Sequence, residues 1–214
     1  MMRIRIALLL ALLLIVATCG DEQTPLAAGV GGSTTIVDED GDGLIDDAPE
    51  GVNDIFSAED LQALVDAGMD LHLGDDPPSL SGSFLADSLL IEYDDLGIEG
   101  YLAAYIYAFS DQTDEGEITV AYESIDIDSS DGTAAFITGT EDCFSIFAVF
   151  SGFTPADNCT YERATAISGC LAEGNIADFM LGFTMTSLTG ECAETLPVGH
   201  MRIIAESDGY AYAQ

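Results

Sequence analysis

The sequence contains no lysine and no tryptophan, and four arginines stand against 39 acidic residues. Arg3 and Arg5 lie at the extreme N-terminus, so from Cys19 onward the only fixed cations are Arg163 and Arg202. Such a surface repels phosphate backbones and anionic headgroups, which excludes nucleic acid as a partner. Without lysine there is no amine nucleophile or Schiff-base former. Also missing are a GxSxG elbow, an HExxH pair, a glycine-rich phosphate loop and any CxxC pair. The two histidines, His72 and His200, are far apart, and neither has a triad partner beside it. Carboxylate pairs such as Asp75-Asp76, Asp94-Asp95 and Glu141-Asp142 fall at predicted turns, where acidic side chains are ordinary. A chain this acidic supplies glycosidase-like pairs by chance. A non-catalytic protein is therefore expected, with a secreted hydrolase as the lowest-ranked alternative.

At 48% hydrophobic the chain still has enough apolar residues to build a core. Its first apolar run is Ile6 to Ala17, 12 residues after Arg3 and Arg5. That is the pattern of a signal peptide, and it is too short for the roughly 20 residues a membrane-spanning helix needs. Val16-Ala17-Thr18-Cys19 resembles the lipobox of bacterial lipoproteins. The resemblance implies removal of residues 1–18 and lipidation of Cys19, with more than one acyl chain giving a stable anchor. It also implies a place in the bacterial cell envelope, the membrane being a partner through that lipid. Gly20, in place of the Asp that retains such proteins at the inner membrane, points to the outer membrane.

Residues 19–52 read as a lipidated, acidic linker, flexible where Gly, Thr, Pro, Ala and Ser dominate Thr24 to Thr35. Within it, the loop 38–47 places Asp38, Asp40 and Asp42 at alternate positions. Gly43 supplies a sharp turn and Asp46 follows, the hard-oxygen set that Ca²⁺ requires. Position 12 of an EF-hand counted from Asp38 is Pro49, so the closing bidentate acid is absent. The spacing is more similar to a thrombospondin type 3 repeat or the calcium loop of dockerins. That resemblance implies ligation by the Asp ladder, the Leu44 carbonyl, and Asp46 or Asp47, with a weak affinity of about 10⁻⁴ to 10⁻³ M. The alternative is a solvated acidic linker holding no metal.

The domain proper is expected over 53–214 and opens with a helix at about 57–68. Ser57 suits the N-cap, Glu59 and Asp60 suit the first turn, Leu61, Leu64 and Val65 share a face, and Gly68 supplies the stop. From Leu80 the pattern is mostly β, with segments expected at 83–93, 101–109, 117–127, 133–138, 143–150, 160–168, 179–188, 200–206 and 210–213. Turn signals between them include Ser130-Asp131-Gly132. A change of apolar parity near Ser124 predicts a bulge. Short connections favour antiparallel neighbours, in an up-and-down barrel of about eight strands or a β-sandwich.

Two segments are apolar on both faces. In 101–109, Tyr101, Tyr105, Tyr107 and Phe109 form one face, a candidate ligand surface. In 143–150, Phe144, Ile146 and Phe150 oppose Phe147 and Val149. One face of each belongs to the core, and the other lies under the helix, lines a cavity or meets a partner. Cys143, Cys159, Cys170 and Cys192 form an even set which, in an exported chain, predicts two disulfides. The local pairs Cys143–Cys159 and Cys170–Cys192 are expected. Arg163 and Arg202 could converge on an anion, although ion pairs with the abundant acids are their expected fate. These features rank a β module acting through a protein or glycan partner first, and a barrel carrying a small apolar ligand second.

Overall fold

A computed structural model describes residues 45, 49–124, 129–154, 158–194 and 196–214. The leader, Cys19 and the candidate calcium ligands Asp38, Asp40, Asp42, Leu44, Asp46 and Asp47 lie outside the described residues. Among the described residues, two helices, α1 (Glu50–Asn53) and α2 (Ala58–Asp66), precede the strands. These are β1 (Asp75–Asp76), β2 (Gly82–Ala86), β3 (Leu89–Asp94), β4 (Tyr105–Ser110), β5 (Thr119–Ser124), β6 (Ser129–Thr140), β7 (Cys143–Thr154), β8 (Cys159–Ala172), β9 (Asn175–Gly190), β10 (Met201–Glu206) and β11 (Tyr210–Ala213). A 3₁₀ turn, Glu191–Glu194, follows β9.

The expected β class holds, and its architecture is a barrel. Strands β4 to β9 form an antiparallel meander, β2 lies beside β4, and β11 closes the ring by pairing with both β2 and β9. One edge of β9 is shared: Ile176 and Ala177 pair with β11, while Met180 to Thr184 pair with β10, which carries β3 on its far side. The up-and-down order thus applies to β4–β9 and fails at the two ends of the chain. The expected 83–93 strand is two strands, broken at Asp87-Ser88. Ser130-Asp131-Gly132 is not a turn but part of β6, which bends to pair with β5 at one end and β7 at the other.

Alternation divides the apolar side chains between two clusters. The barrel interior takes Phe144, Ile146, Ala148 and Phe150 of β7, Ile167 of β8, Leu181 and Phe183 of β9, and Tyr107 and Phe109 of β4. The outer face of β7, β8 and β10 presents Phe147, Ala164, Ala166 and Ile203, and these lie beneath Val52, Phe56, Leu61 and Leu64 of the helical segment. The second apolar face of β7 therefore sits under the helix. Ala164 and Ala166 keep that face low, and Gly182 admits Leu64 and Met69, whose nearest atoms would be 3.1 and 3.3 Å from an added Cβ. The Ser57 hydroxyl accepts the Asp60 N–H at 3.1 Å and the Asp60 carboxylate accepts the Ser57 N–H at 3.3 Å, a capping box that fixes where α2 starts.

The four cysteines among the described residues are all disulfide-bonded, but the pairing is Cys143–Cys170 and Cys159–Cys192, not the local one. Cys143 and Cys170 are direct cross-strand partners in β7 and β8. Cys159 opens β8 opposite the end of β9, where the 3₁₀ turn brings Cys192 across. Register overrides sequence proximity in both cases.

Burial pushes the Glu206 carboxyl up from its ordinary 4.5 to about 7, with Asp208 and Asp87 adding to the shift against the Ser88 N–H, which the carboxylate accepts at 2.9 Å. Between those two values the folded state holds a proton that the unfolded chain has lost. Stability should therefore fall as pH rises through this window and level off above it, by about 1–2 kcal/mol. Chemical denaturation at pH 4.5 and pH 8 checks this: Glu206→Gln should flatten the difference, and an unchanged slope in that variant would contradict the assignment.

Candidate functional site

The barrel interior is not filled throughout. At the end where β7 and β9 finish and β8 begins, a chamber of about 210 Å³ remains, walled by Leu89, Tyr105, Tyr107, Tyr161, Leu181, Phe183, Met185 and Ile204 among others. Leu102, Thr154, Leu188 and Leu196 also line it and are partly exposed, so the chamber opens between them. The exposed apolar side chains Leu96, Ile98, Tyr101, Phe153 and Val198 belong to the same end of the strands. A bulge in β9 opposite Glu162 and Arg163 shifts the inward parity from Leu181, Phe183 and Met185 to Leu188, which carries the wall out to the rim.

Of the aromatic face expected on 101–109, three residues point inward together: Tyr105, Tyr107 and Phe109. Tyr101 does not join them. Residues 102–104 are not in a strand, Tyr101 forms an isolated bridge with Leu90, and it is 68% exposed. The tyrosines inside form a contiguous group, with Tyr122 centred 5.7 Å from Tyr105 and 6.0 Å from Tyr107. The Tyr122 and Tyr161 hydroxyls hydrogen-bond to each other. Tyr161 has its place because its cross-strand partner in β7 is Gly152, where a Cβ would come within 2.3 Å of the phenol oxygen.

Both arginines of the domain reach this chamber, and they are treated differently. Arg202 donates from Nε to Asp94 at 2.7 Å. The Asp94 carboxylate also accepts from the N–H groups of Leu96 at 2.9 Å and Ile98 at 3.2 Å and lies 3.4 Å from His200 Nε2. Burial acts to raise the Asp94 carboxyl, but the Arg202 hydrogen bond and these backbone donors outweigh it and hold it below its ordinary value. His200 Nδ1 contacts the Asp95 carboxylate, completing a fixed charged corner beside the chamber.

Arg163 has no such partner. On β8, Cys159, Tyr161, Arg163, Thr165 and Ile167 share the inward parity, while Glu162 points out to solvent. No carboxylate among the described residues is within ion-pair distance of the Arg163 guanidinium, and its Nε is buried without a hydrogen-bond partner. Its neighbours are ring faces: Phe183 at 4.8 Å, Tyr122 at 5.1 Å, Tyr161 at 5.6 Å and Phe150 at 5.7 Å. Burial alone would lower its pKa, yet Tyr122, Tyr161, Tyr107 and Tyr105 hold it above the ordinary arginine value. The group stays cationic.

Among the described residues, two other clusters bring together metal-ligating residue types. His72, Cys143 and Cys170 lie close, but the two sulfurs are joined to each other, and burial lowers the His72 pKa against the pull of Asp70 and Asp178. Asp94, Asp95 and His200 form the second, in which Arg202 already neutralises Asp94. Neither offers a free ligand set. Asp94, Asp95 and His200 were visible in the sequence only as a turn pair and a lone histidine, since the antiparallel register of β10 on β3, with Arg202 opposite Asp94, is what brings His200 to the turn after β3.

Fold and chamber define an eight-stranded antiparallel barrel with an internal, cationic, aromatic-lined cavity. Compared with family models, with curated proteins and with solved structures, the chain finds no match.

Proposed function

We propose that this chain is a lipid-anchored envelope protein whose barrel holds a small molecule with a largely apolar body. The observation that carries the reading is the chamber itself, an unfilled space in an interior otherwise packed with Phe84, Phe109, Phe144, Phe150 and Phe179. Small-molecule sites are built this way, from apolar walls with a few placed polar groups. An engineered cavity of roughly 150 Å³ takes benzene, so a space of about 210 Å³ suits one substituted ring or a chain of about eight carbons. The chamber favours the carrier over the interaction module that the sequence ranks first. Lipid on Cys19 and the acidic tether after it would keep the barrel beside a membrane, with Asp38, Asp40, Asp42, Leu44, Asp46 and Asp47 as a weak Ca²⁺ loop in that tether.

The full chain carrying Cys19→Ala should leave the membrane fraction and stay folded; equal membrane association of that variant would contradict the anchor. In this soluble form, saturation-transfer NMR with ethylbenzene, octanol, octanamide and octanoate should detect saturable binding of at least one probe. Met185→Trp, which puts an indole into the chamber, should abolish it. No binding by any probe at millimolar concentration would contradict the carrier reading.

A further inference from the structure

We infer that the chamber selects an anionic ligand, a small monocarboxylate whose head pairs with Arg163 and whose apolar body fills the space toward Leu181, Met185 and Leu188. The inference rests on the carrier reading and adds the charge of the occupant. Its basis is an imbalance inside the barrel. Arg202 has Asp94 at 2.7 Å, whereas Arg163, on the same chamber wall, has no carboxylate partner among the described residues and a buried Nε with no acceptor there. In a chain with 39 acids, a strand that carries Glu162 next to Arg163 nonetheless turns the acid outward and the cation inward.

Arg163 is half-buried, and withdrawing a charge even partly from water carries a cost that the four aromatic faces offset only in part. They are also apolar over most of their surface and leave the in-plane Nε–H without an acceptor among the described residues, beside the other in-plane donors of the guanidinium. Those donors form a fork that matches a carboxylate with two parallel hydrogen bonds. The rings of Phe183, Tyr122, Tyr161 and Phe150 hold the fork in place from the sides. The chamber opens among its partly exposed lining residues Leu102, Thr154, Leu188 and Leu196, which lets the monocarboxylate enter. Of the two arginines lining the chamber, Arg202 is already paired with Asp94, so Arg163 offers a place for one anionic head.

The test compares octanoate with octanamide, equal in length and differing in head charge, by isothermal titration into the full-length Cys19→Ala chain. Octanoate should bind roughly 10- to 100-fold more tightly, the range expected for a charge-assisted pair over a neutral one. Arg163→Gln should bring the two to equal affinity, and a circular-dichroism melt establishes that the variant is folded. Should it not fold, the wild-type comparison decides alone. Equal affinities in the wild type would overturn the anionic assignment while leaving the carrier standing. Binding of neither probe would overturn the anionic assignment, and the carrier reading would fall with it only if ethylbenzene and octanol also fail to bind.

Discussion

Loss of the Cys159–Cys192 disulfide is expected to cost about 3–4 kcal/mol of stability, the chain-entropy value for closing a loop of 33 residues. Cys143–Cys170, with a separation of 27, should cost nearly as much. The two loops overlap between residues 159 and 170, so the second crosslink restrains a chain that the first has already shortened. Removing both should thus cost less than the sum. Urea midpoints of Cys159→Ser/Cys192→Ser, of Cys143→Ser/Cys170→Ser and of the quadruple variant measure these terms. The pairs should also differ in function. Cys159 and Cys192 line the chamber, whereas Cys143 and Cys170 join β7 to β8 at the other end of those strands. Ligand affinity should fall with the first pair and hold with the second. Unchanged midpoints in both double variants would contradict the crosslinked account of the barrel.

Phe147→Ala should destabilise the protein by about 3–5 kcal/mol, the usual cost of emptying a large aromatic site that cannot collapse. Phe147 has no exposed surface and meets Phe56 edge to face at 5.9 Å. Ala164, Ala166 and Ile203 line the same outer surface and cannot fill the gap from a strand face. The ring is what α2 docks on, so amide exchange should rise in Leu61 and Leu64 before it rises in β8 or β9. A cost below about 1 kcal/mol, or uniform exchange across helix and strands, would mean that the helical layer is held elsewhere.

The strand pattern was legible because a period of two is visible wherever one face is apolar: 143–150, 160–168, 179–188 and 210–213 lie within β7, β8, β9 and β11 of the barrel, and 200–206 matches β10 beside it from Met201 onward. So were the Ser57 cap and the Gly68 stop. Tyr101 misled because alternation was extended through Leu102, Ala103 and Ala104, which leave the sheet before β4 starts. The disulfide pairing was not legible, since it follows from which strands are neighbours and in what register. Arg163 is the instructive residue. Both of its flanking positions, Glu162 and Ala164, fit a strand with either face inward. What decides is the helical segment, which covers the face bearing Ala164 and Ala166 and leaves Tyr161, Arg163 and Thr165 to the interior. No local pattern in 160–168 records that a helix a hundred residues earlier lies over one side.

The most direct test of the central claim reads the Arg163 guanidinium itself. The chain has four arginines, so a ¹H–¹⁵N spectrum of arginine Nε–H groups holds at most four signals, and Arg163→Gln identifies the one of interest. Titrating octanoate into the Cys19→Ala chain should shift that signal and slow its exchange with water, saturating with the affinity measured by calorimetry, while octanamide leaves it in place. An Arg163 signal indifferent to octanoate at concentrations where the probe is bound would contradict the account.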